Sequence, residues 1–368
     1  MSTFRNALVT PADPAGSARV ESLDILRGLM ALAVAFYHFT IWYPVFQPGQ
    51  FMAYTAAKVG HYGVEGFFII SGFCFFHIYP PGSFRGRGLL NFHITRFLRI
   101  APLYYLAVAL HLVLGLAVGP QPTARMLLEN ATLTFGLFHP NHALVLGGWS
   151  IGLEYIFYMA LPVLVWATGR FRPFLAVASV AALLASVPYT LDRVPAASLV
   201  ADEKFHLYVQ VGNHAFLFFF GGLVAQLRAL CPWRLTRAVF LGTSAVLCLA
   251  FARYIRNFYD HFVVMQGPPR YTFAFLCLGV VALFAFRDFQ PSRLKRLGVW
   301  LGDISYSVYL MHPFAQEALR RFSPGTAGPH PALGFTLGLG LTLGVATLTH
   351  RWIERPAMAL GRRWTARR

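Results

Sequence analysis

The chain has 368 residues, of which 57% are apolar and 12% are charged, and its formal net charge is +17. Typical soluble domains contain about 25% charged residues, so a water-soluble surface cannot be built from half that amount. The 35 phenylalanines exclude a disordered chain, because disordered segments are poor in aromatic residues. The composition therefore predicts a protein whose solvent is the lipid bilayer.

Basic residues are scattered in small groups between apolar runs rather than gathered in a stripe or a long tail. Nucleic-acid binding needs clustered cations that neutralise phosphates, and we expect no nucleic-acid partner. The four cysteines lie in or beside apolar segments without metal-ligand spacing, which is typical of buried free thiols.

Apolar stretches long enough to cross the membrane recur along the chain. A helix that crosses a hydrocarbon core of about 30 Å needs about 20 mostly apolar residues. Ten stretches qualify, near 25–43, 61–79, 100–118, 148–168, 173–190, 206–227, 238–254, 271–287, 299–318 and 333–352. We therefore predict an all-α polytopic membrane protein of about ten transmembrane helices.

The distribution of positive charge predicts the orientation. With the N-terminus in the cytoplasm, 22 of the 31 Lys and Arg residues fall on cytoplasmic segments, as the positive-inside rule requires. Both termini are then cytoplasmic, and the excess charge also faces anionic membrane lipids. The predicted organisation is a cytoplasmic tail over 1–22, a transmembrane domain over 23–356 and a basic cytoplasmic tail over 357–368.

Arg27 and His38 are the first ionisable pair within a predicted span. Eleven residues of helix turn through about 1100°, roughly 20° past three full turns, with a rise of about 16 Å. The two side chains therefore share one helix face. Ionisable residues inside spans commonly line a cavity or carry function. The alternatives are that Arg27 snorkels to the interface and that His38 is a core imidazole with satisfied hydrogen bonds.

The second and third spans add further candidates. His61 and Glu65 are spaced i,i+4 and could pair, although this stretch is also compatible with packing alone. Arg96 and Arg99, spaced i,i+3, share a helix face, and their guanidinium groups match phosphate oxygens bidentately. The alternative for these arginines is a simple cytoplasmic anchor.

The later spans place more polar groups within the membrane. Glu154 is predicted about two turns below the outer surface, where an unpaired carboxylate is costly, and His38 or His312 is the expected partner. Ser305 lies deeper than His312 in the ninth predicted span. Topology thus predicts two layers, with cationic Arg27, Arg96 and Arg99 near the cytoplasm and acid–base candidates farther out. Glu354 is interpreted as part of an interfacial ion pair.

At these residues the chain resembles the acyltransferase-3 family of integral membrane acyltransferases. The matching segments, in the family's order, are Leu23–Leu29 with His38, Gly63–Phe73, Arg96–Pro102, Trp149–Glu154, Ile304–His312 and Glu354–Pro356. One departure is that the position of Glu65 is often Asp in the family, which keeps the charge. Together the segments span nearly the whole chain.

The resemblance implies an enzyme that takes an acyl group, usually acetyl, from cytoplasmic acyl-CoA. The acceptor is a hydroxyl of an extracytoplasmic or membrane-presented glycan, a lipid-linked sugar or a small molecule. Carried over by position, His38 is the essential histidine, with Glu154 as a second catalytic candidate. Arg27, Arg96 and Arg99 are the donor-binding candidates. The substrate-binding candidates are Glu65, Ser305, Tyr306 and His312.

The predicted chemistry leaves two routes open. Neutral His38 removes the proton of the acceptor hydroxyl, with Glu154 or Asp24 orienting the imidazole, or His38 is itself acylated. Arg85 and Arg87 could assist donor binding. The histidines form no sequence motif with a neighbouring acidic ligand, and we expect no metal and no permanently bound cofactor.

The rival function is a proton-coupled exporter of a sugar or lipid, although the two halves of the chain show no similarity. The outer segment 119–147, with His139 and His142, is expected to help select the acceptor.

Overall fold

The computed structural model describes residues 19–46, 51–115, 122–193, 201–231, 233–255, 265–323 and 330–366. Helices account for the regular structure of this part of the chain, in agreement with the predicted all-α class. Residues 1–18 of the predicted N-terminal tail lie outside the described residues. Residues 116–118 of the third predicted span and residues 367–368 of the predicted basic tail also lie outside them.

The first half of the described chain contains seven helices. They are α1 (Glu21–Trp42), α2 (Phe51–Ile78), α3 (Gly88–Leu114), α4 (Ala124–Thr132), α5 (Phe135–Phe138), α6 (Gly148–Arg170) and α7 (Phe174–Val187). A 3₁₀ turn over Pro140–His142 precedes α6, and a π turn over Pro188–Arg193 extends α7.

The second half contains eight more helices. They are α8 (Ala201–Tyr208), α9 (Val211–Leu230), α10 (Arg237–Ile255), α11 (Gly267–Ala285), α12 (Arg293–Asp303), α13 (Ser305–Phe322), α14 (Pro331–Thr349) and α15 (Arg355–Ala366). A π turn over His350–Glu354 joins the last two, so that Pro331–Thr365 forms one run of 35 residues.

Eight helices or helix runs of the described residues are long and apolar enough to cross a membrane. The chain is therefore a multi-pass membrane protein, with eight candidate spans in place of the predicted ten. The span predicted over 206–227 corresponds to α9, which carries Asn213 and His214 near its start. The span predicted over 299–318 is not one helix, because the chain breaks at Ile304 between α12 and α13.

The close packing of α1 on α12 positions the residues around this break. A Cβ atom on Gly28 would lie 2.7 Å from the backbone nitrogen of Gly302, and one on Gly302 would lie 2.2 Å from the carbonyl oxygen of Asp24. The two backbones approach this closely only because both positions are glycine. This contact packs the first two turns of α1 against the end of α12, next to the break at Ile304 and to Ser305.

Candidate active site

His38 on α1 and His312 on α13 form a pair within the helix bundle. The Nε2 atom of His312 lies 3.1 Å from the Nδ1 atom of His38. Both rings also pack against Trp42, with ring centroids 5.5 Å and 5.8 Å from the indole. His312 is buried, whereas His38 keeps part of its surface exposed.

One assignment of tautomers satisfies every contact of this pair. The Nδ1–H group of His312 donates to the carbonyl of Val308 at 3.2 Å, which leaves its Nε2 atom as an acceptor. The Nδ1–H group of His38 then donates to that Nε2 atom and to the carbonyl of Val34 at 3.0 Å. The Nε2 atom of His38 is left with its lone pair, as a base or a nucleophile requires.

The hydrogen-bond partner of His38 differs from the prediction. Glu154 or Asp24 was expected to orient the imidazole, and Glu154 was expected to pair with a histidine. In the structure the Glu154 carboxylate accepts hydrogen bonds from Ser71 at 3.1 Å and Tyr158 at 2.6 Å. Asp24 pairs with Arg19 and Arg27 instead. A neighbouring imidazole therefore takes the place predicted for a carboxylate.

A cavity of about 630 Å³ lies between the helices. All three arginines predicted to bind the donor line it, together with Glu154, Ser305 and Tyr306. Its wall also contains Ser150 and Tyr309, whose hydroxyl groups are 2.8 Å apart. His38 and His312 are not among the lining residues. The ring of Tyr309 lies 6.3 Å from that of His312, so the histidine pair lies behind this part of the wall.

Arg27 is fixed at the break between α12 and α13. Its Nε atom donates to the Ser305 hydroxyl at 3.1 Å, and its Nη2 atom donates to the carbonyl of Gly302 at 3.0 Å. The same nitrogen lies 3.2 Å from Asp24, which also pairs with Arg19 at 2.5 Å. Arg27 is thus part of a charge network as well as a cavity-lining cation.

Arg96 and Arg99 differ from Arg27 in their surroundings. The Arg96 guanidinium lies over aromatic rings, 4.9 Å from the centroid of Phe75 and 5.7 Å from that of Tyr158, and donates to Tyr79 at 3.0 Å. Within the described ranges neither arginine forms a salt bridge. Their charges are therefore available to an anionic ligand in the cavity. Arg85 and Arg87, predicted as assistants, are exposed and do not line it.

Comparisons with known proteins agree with this geometry. The family model described as an acyltransferase domain matches residues 20–351. The chain belongs to the acyltransferase-3 family. Nodulation protein 10 of Rhizobium leguminosarum bv. viciae is 24% identical over 384 residues, which cover 97% of the chain and 98% of the relative. Exopolysaccharide production protein ExoZ of Rhizobium meliloti (strain 1021) is 27% identical over 84% of the chain and 95% of the relative.

A third relative of this acyltransferase-3 chain is longer. Peptidoglycan O-acetyltransferase OatA of Listeria monocytogenes serovar 1/2a is 24% identical over 92% of the chain, and the match covers 55% of OatA. No solved structure matches the chain. Family membership makes the protein an acyltransferase, in agreement with the resemblance read from the sequence.

The remaining predicted residues of this acyltransferase-3 protein fall in two places. Ser305 donates to the carbonyl of Gly302 at 2.8 Å, and Tyr306 donates to the carbonyl of Ile100 at 2.9 Å, both in the cavity wall. Glu65 is not brought to the cavity. It is fully buried against Arg270 and accepts a hydrogen bond from Tyr208 at 3.0 Å. Its predicted role in substrate binding is untested.

Several residues of the acyltransferase-3 site were not predicted. Glu354, expected from the sequence to form a simple ion pair or an interfacial anchor, lines the cavity, accepts a hydrogen bond from Ser307 and lies 3.5 Å from the Nδ1 atom of His350. Tyr158 follows Glu154 by four residues, a spacing that could have indicated their contact. Trp42 follows His38 by the same interval. The contact of Glu354 with Ser307 had no local signal, because the two residues are 47 positions apart in sequence.

Proposed function

We propose that this acyltransferase moves an acetyl group from cytoplasmic acetyl-CoA to a hydroxyl of an extracytoplasmic polysaccharide in the bacterial inner membrane. The printed descriptions of ExoZ and OatA, which concern exopolysaccharide production and peptidoglycan O-acetylation, support a glycan acceptor. A lipid-linked sugar or a small hydroxylated molecule would present the same reacting group.

The cavity carries this proposal. Three arginines line it, and Tyr309 in its wall packs near His312 of the histidine pair. A volume of about 630 Å³ is within the usual range of about 300–1,000 Å³ for small-molecule sites. An acyl-CoA molecule has the complementary form, since an anionic phosphate head is separated from its thioester by a long arm.

The arginines are suited to the phosphates of the donor. Charge-assisted hydrogen bonds from guanidinium to phosphate are short and directional. Arg96 and Arg99 form no salt bridge among the described residues, although Glu154 and Glu354 line the same cavity, so a phosphate can still pair with their guanidinium groups. Arg27 already shares Asp24 with Arg19, and its contribution is correspondingly smaller.

The histidine pair is suited to proton transfer. The His38 Nε2 atom accepts the proton of the acceptor hydroxyl as its oxygen bonds to the thioester carbonyl carbon. Collapse of the tetrahedral intermediate breaks the carbon–sulfur bond, and the CoA sulfur leaves as a thiol with the proton held by His38. His312 keeps the reactive tautomer in place through its contact with Nδ1.

An acyl-histidine relay uses the same nitrogen. In that route the His38 Nε2 atom attacks the thioester carbonyl carbon, the carbon–sulfur bond breaks, and CoA leaves as the thiol with the proton that the ring gives up from Nδ1. The acceptor hydroxyl then takes the acyl group from Nε2, and its proton returns to the ring. Both routes require an unprotonated Nε2 atom. They differ in whether CoA is released when no acceptor is present.

The test uses inverted membrane vesicles that contain the protein and labelled acetyl-CoA. We expect label in a membrane glycan or lipid-linked sugar with the wild type and with His330→Ala, an exposed histidine outside the cavity lining. We expect none with His38→Ala at equal amounts of inserted protein. Sugar or lipid export without transferred label would favour the rival exporter and contradict the proposal.

A further inference from the structure

Three potential metal ligands converge on the segment between α3 and α6, away from the histidine pair. The Oε2 atom of Glu129 lies 2.6 Å from Nδ1 of His142, and its Oε1 atom lies 3.1 Å from Nδ1 of His139. One ligand atom from each side chain lies within 4.8 Å of the others. The two imidazole rings are stacked, with centroids 4.6 Å apart.

A buried hydrogen-bond network holds this arrangement. Asn130, next to Glu129, is 2% exposed and donates to the carbonyl of His142 at 2.7 Å. Its Oδ1 atom accepts from the Tyr104 hydroxyl at 2.5 Å and from the backbone nitrogen of Leu144 at 3.1 Å. The histidine segment is thereby tied to α4 and to α3 independently of the contacts to Glu129. The three ligands are preorganised.

The charge of the cluster also suits a cation. The Arg125 guanidinium lies 2.9 Å from Glu129 and 3.2 Å from the His139 ring. A positive group already occupies the cluster.

We propose that Glu129, His139 and His142 bind a divalent transition-metal ion, with Zn²⁺ as the ion of choice. Two imidazoles and one carboxylate form a common zinc ligand set, which leaves a fourth position for water or a substrate oxygen. Tetrahedral zinc, with ligands at about 2.0–2.2 Å, holds its ligand atoms about 3.3 Å apart. The ligand atoms lie within 4.8 Å of one another, so binding draws the most distant of them together.

Binding requires Arg125 to withdraw from His139. Its side chain is 64% exposed, so the guanidinium can turn into water while the more buried ligands stay in place. The sequence predicted no metal because Glu129 precedes His139 and His142 by ten and thirteen residues, which is not a recognised ligand spacing. The folded chain brings the three together.

The site has a structural connection to the cavity. The segment that follows His142 leads to Gly147, whose carbonyl accepts a hydrogen bond from Tyr309 at 3.0 Å. Tyr309 lines the cavity and packs near His312. A bound ion would therefore fix the loop that contacts Tyr309 in the cavity wall. The metal proposal does not depend on the identity of donor or acceptor.

The test is direct metal binding by the full-length protein in detergent, with any affinity tag removed and bound metal stripped by a chelator. Zn²⁺ is titrated in competition with a chromogenic chelator. We expect one tight ion per chain in the wild type and in the His330→Ala control. Binding should weaken at least about tenfold in His139→Ala and in His142→Ala, because each loses one ligand.

Two further measurements separate ligand loss from misfolding. Glu129→Gln removes the charge but keeps the size of the side chain, so its melting temperature without metal should change little while zinc affinity falls. Co²⁺ in place of Zn²⁺ should give the intense visible absorption of a tetrahedral site. Absence of tight zinc binding in the wild type would overturn the proposal, as would equal affinity in the wild type and the two histidine variants.

Discussion

The Nε2 atom of His312 lies 3.1 Å from the Nδ1 atom of His38. This contact joins the first helix of the chain to α13, across 274 positions of sequence. It leaves one nitrogen of His38 free to react and assigns His312 a positioning role. The roles of the two histidines are therefore separable by experiment.

His38→Ala should reduce acyl transfer by about 10²–10⁴-fold, the usual contribution of a general base, or abolish it if the ring is acylated. The measurement is the rate of label transfer per amount of membrane-inserted protein. CoA release without acceptor, present in the wild type and absent in the variant, would identify the relay. Substantial transfer by His38→Ala would contradict the assignment of His38 in either route.

His312→Leu should lower kcat at least about tenfold, because His38 loses the acceptor that fixes its tautomer. The Michaelis constant for acetyl-CoA should change little, since His312 does not line the cavity. The pH profile of kcat should also shift, an effect that a purely packing role would not produce. An unchanged kcat and pH profile would remove His312 from the mechanism.

Arg96→Ala and Arg99→Ala should each raise the Michaelis constant for acetyl-CoA about 10- to 100-fold. This range corresponds to about 1.5–3 kcal/mol for a hydrogen bond to a charged group. Arg85→Ala is the matched control, because Arg85 is a nearby exposed cation outside the cavity lining. Equal constants in the variants and the control would show that the two arginines are only membrane anchors.

Glu65→Ala should destabilise the fold by about 3–5 kcal/mol, because it leaves the buried guanidinium of Arg270 without its carboxylate. The double variant Glu65→Leu/Arg270→Met should recover most of the loss, since no unpaired charge remains. Thermal unfolding in detergent measures both. Normal stability with a raised Michaelis constant for the acceptor would instead support the predicted role of Glu65 in substrate binding.

Gly72→Ala should destabilise the contact between α2 and α9 by about 1–3 kcal/mol. A Cβ atom there would lie 1.9 Å from the carbonyl oxygen of Phe218, so the helices must move apart. Gly340→Ala is the control, because a Cβ atom on Gly340 has open space around it and alanine favours the helix. Equal melting temperatures of the two variants would contradict this account of the helix contact.

Local sequence patterns predicted the parts of the site that depend on a single helix. The interval between Arg27 and His38 predicted one shared face of α1, and the predicted donor-binding residues Arg27, Arg96 and Arg99 all line the cavity, whereas His38 does not. Helix periodicity and hydropathy suffice for such predictions, because each depends only on neighbours within a few turns.

Contacts between helices could not be predicted in this way. The partner of His38 is His312, whereas Glu154 bonds to Ser71 and Tyr158, and no local pattern distinguishes these pairings. The break at Ile304 was also missed. The flanking residues remain apolar there, and the close approach of Gly28 to Gly302 becomes visible only when α1 and α12 are packed together.

The run from Pro331 to Thr365 is longer than a membrane is thick. At 1.5 Å per residue its 35 residues extend about 52 Å, against a hydrocarbon core of about 30 Å. The residues of this run that line the cavity lie in its second half and are spaced four apart: His350, Glu354, Met358 and Arg362. One face of a single helical run therefore forms part of the cavity wall.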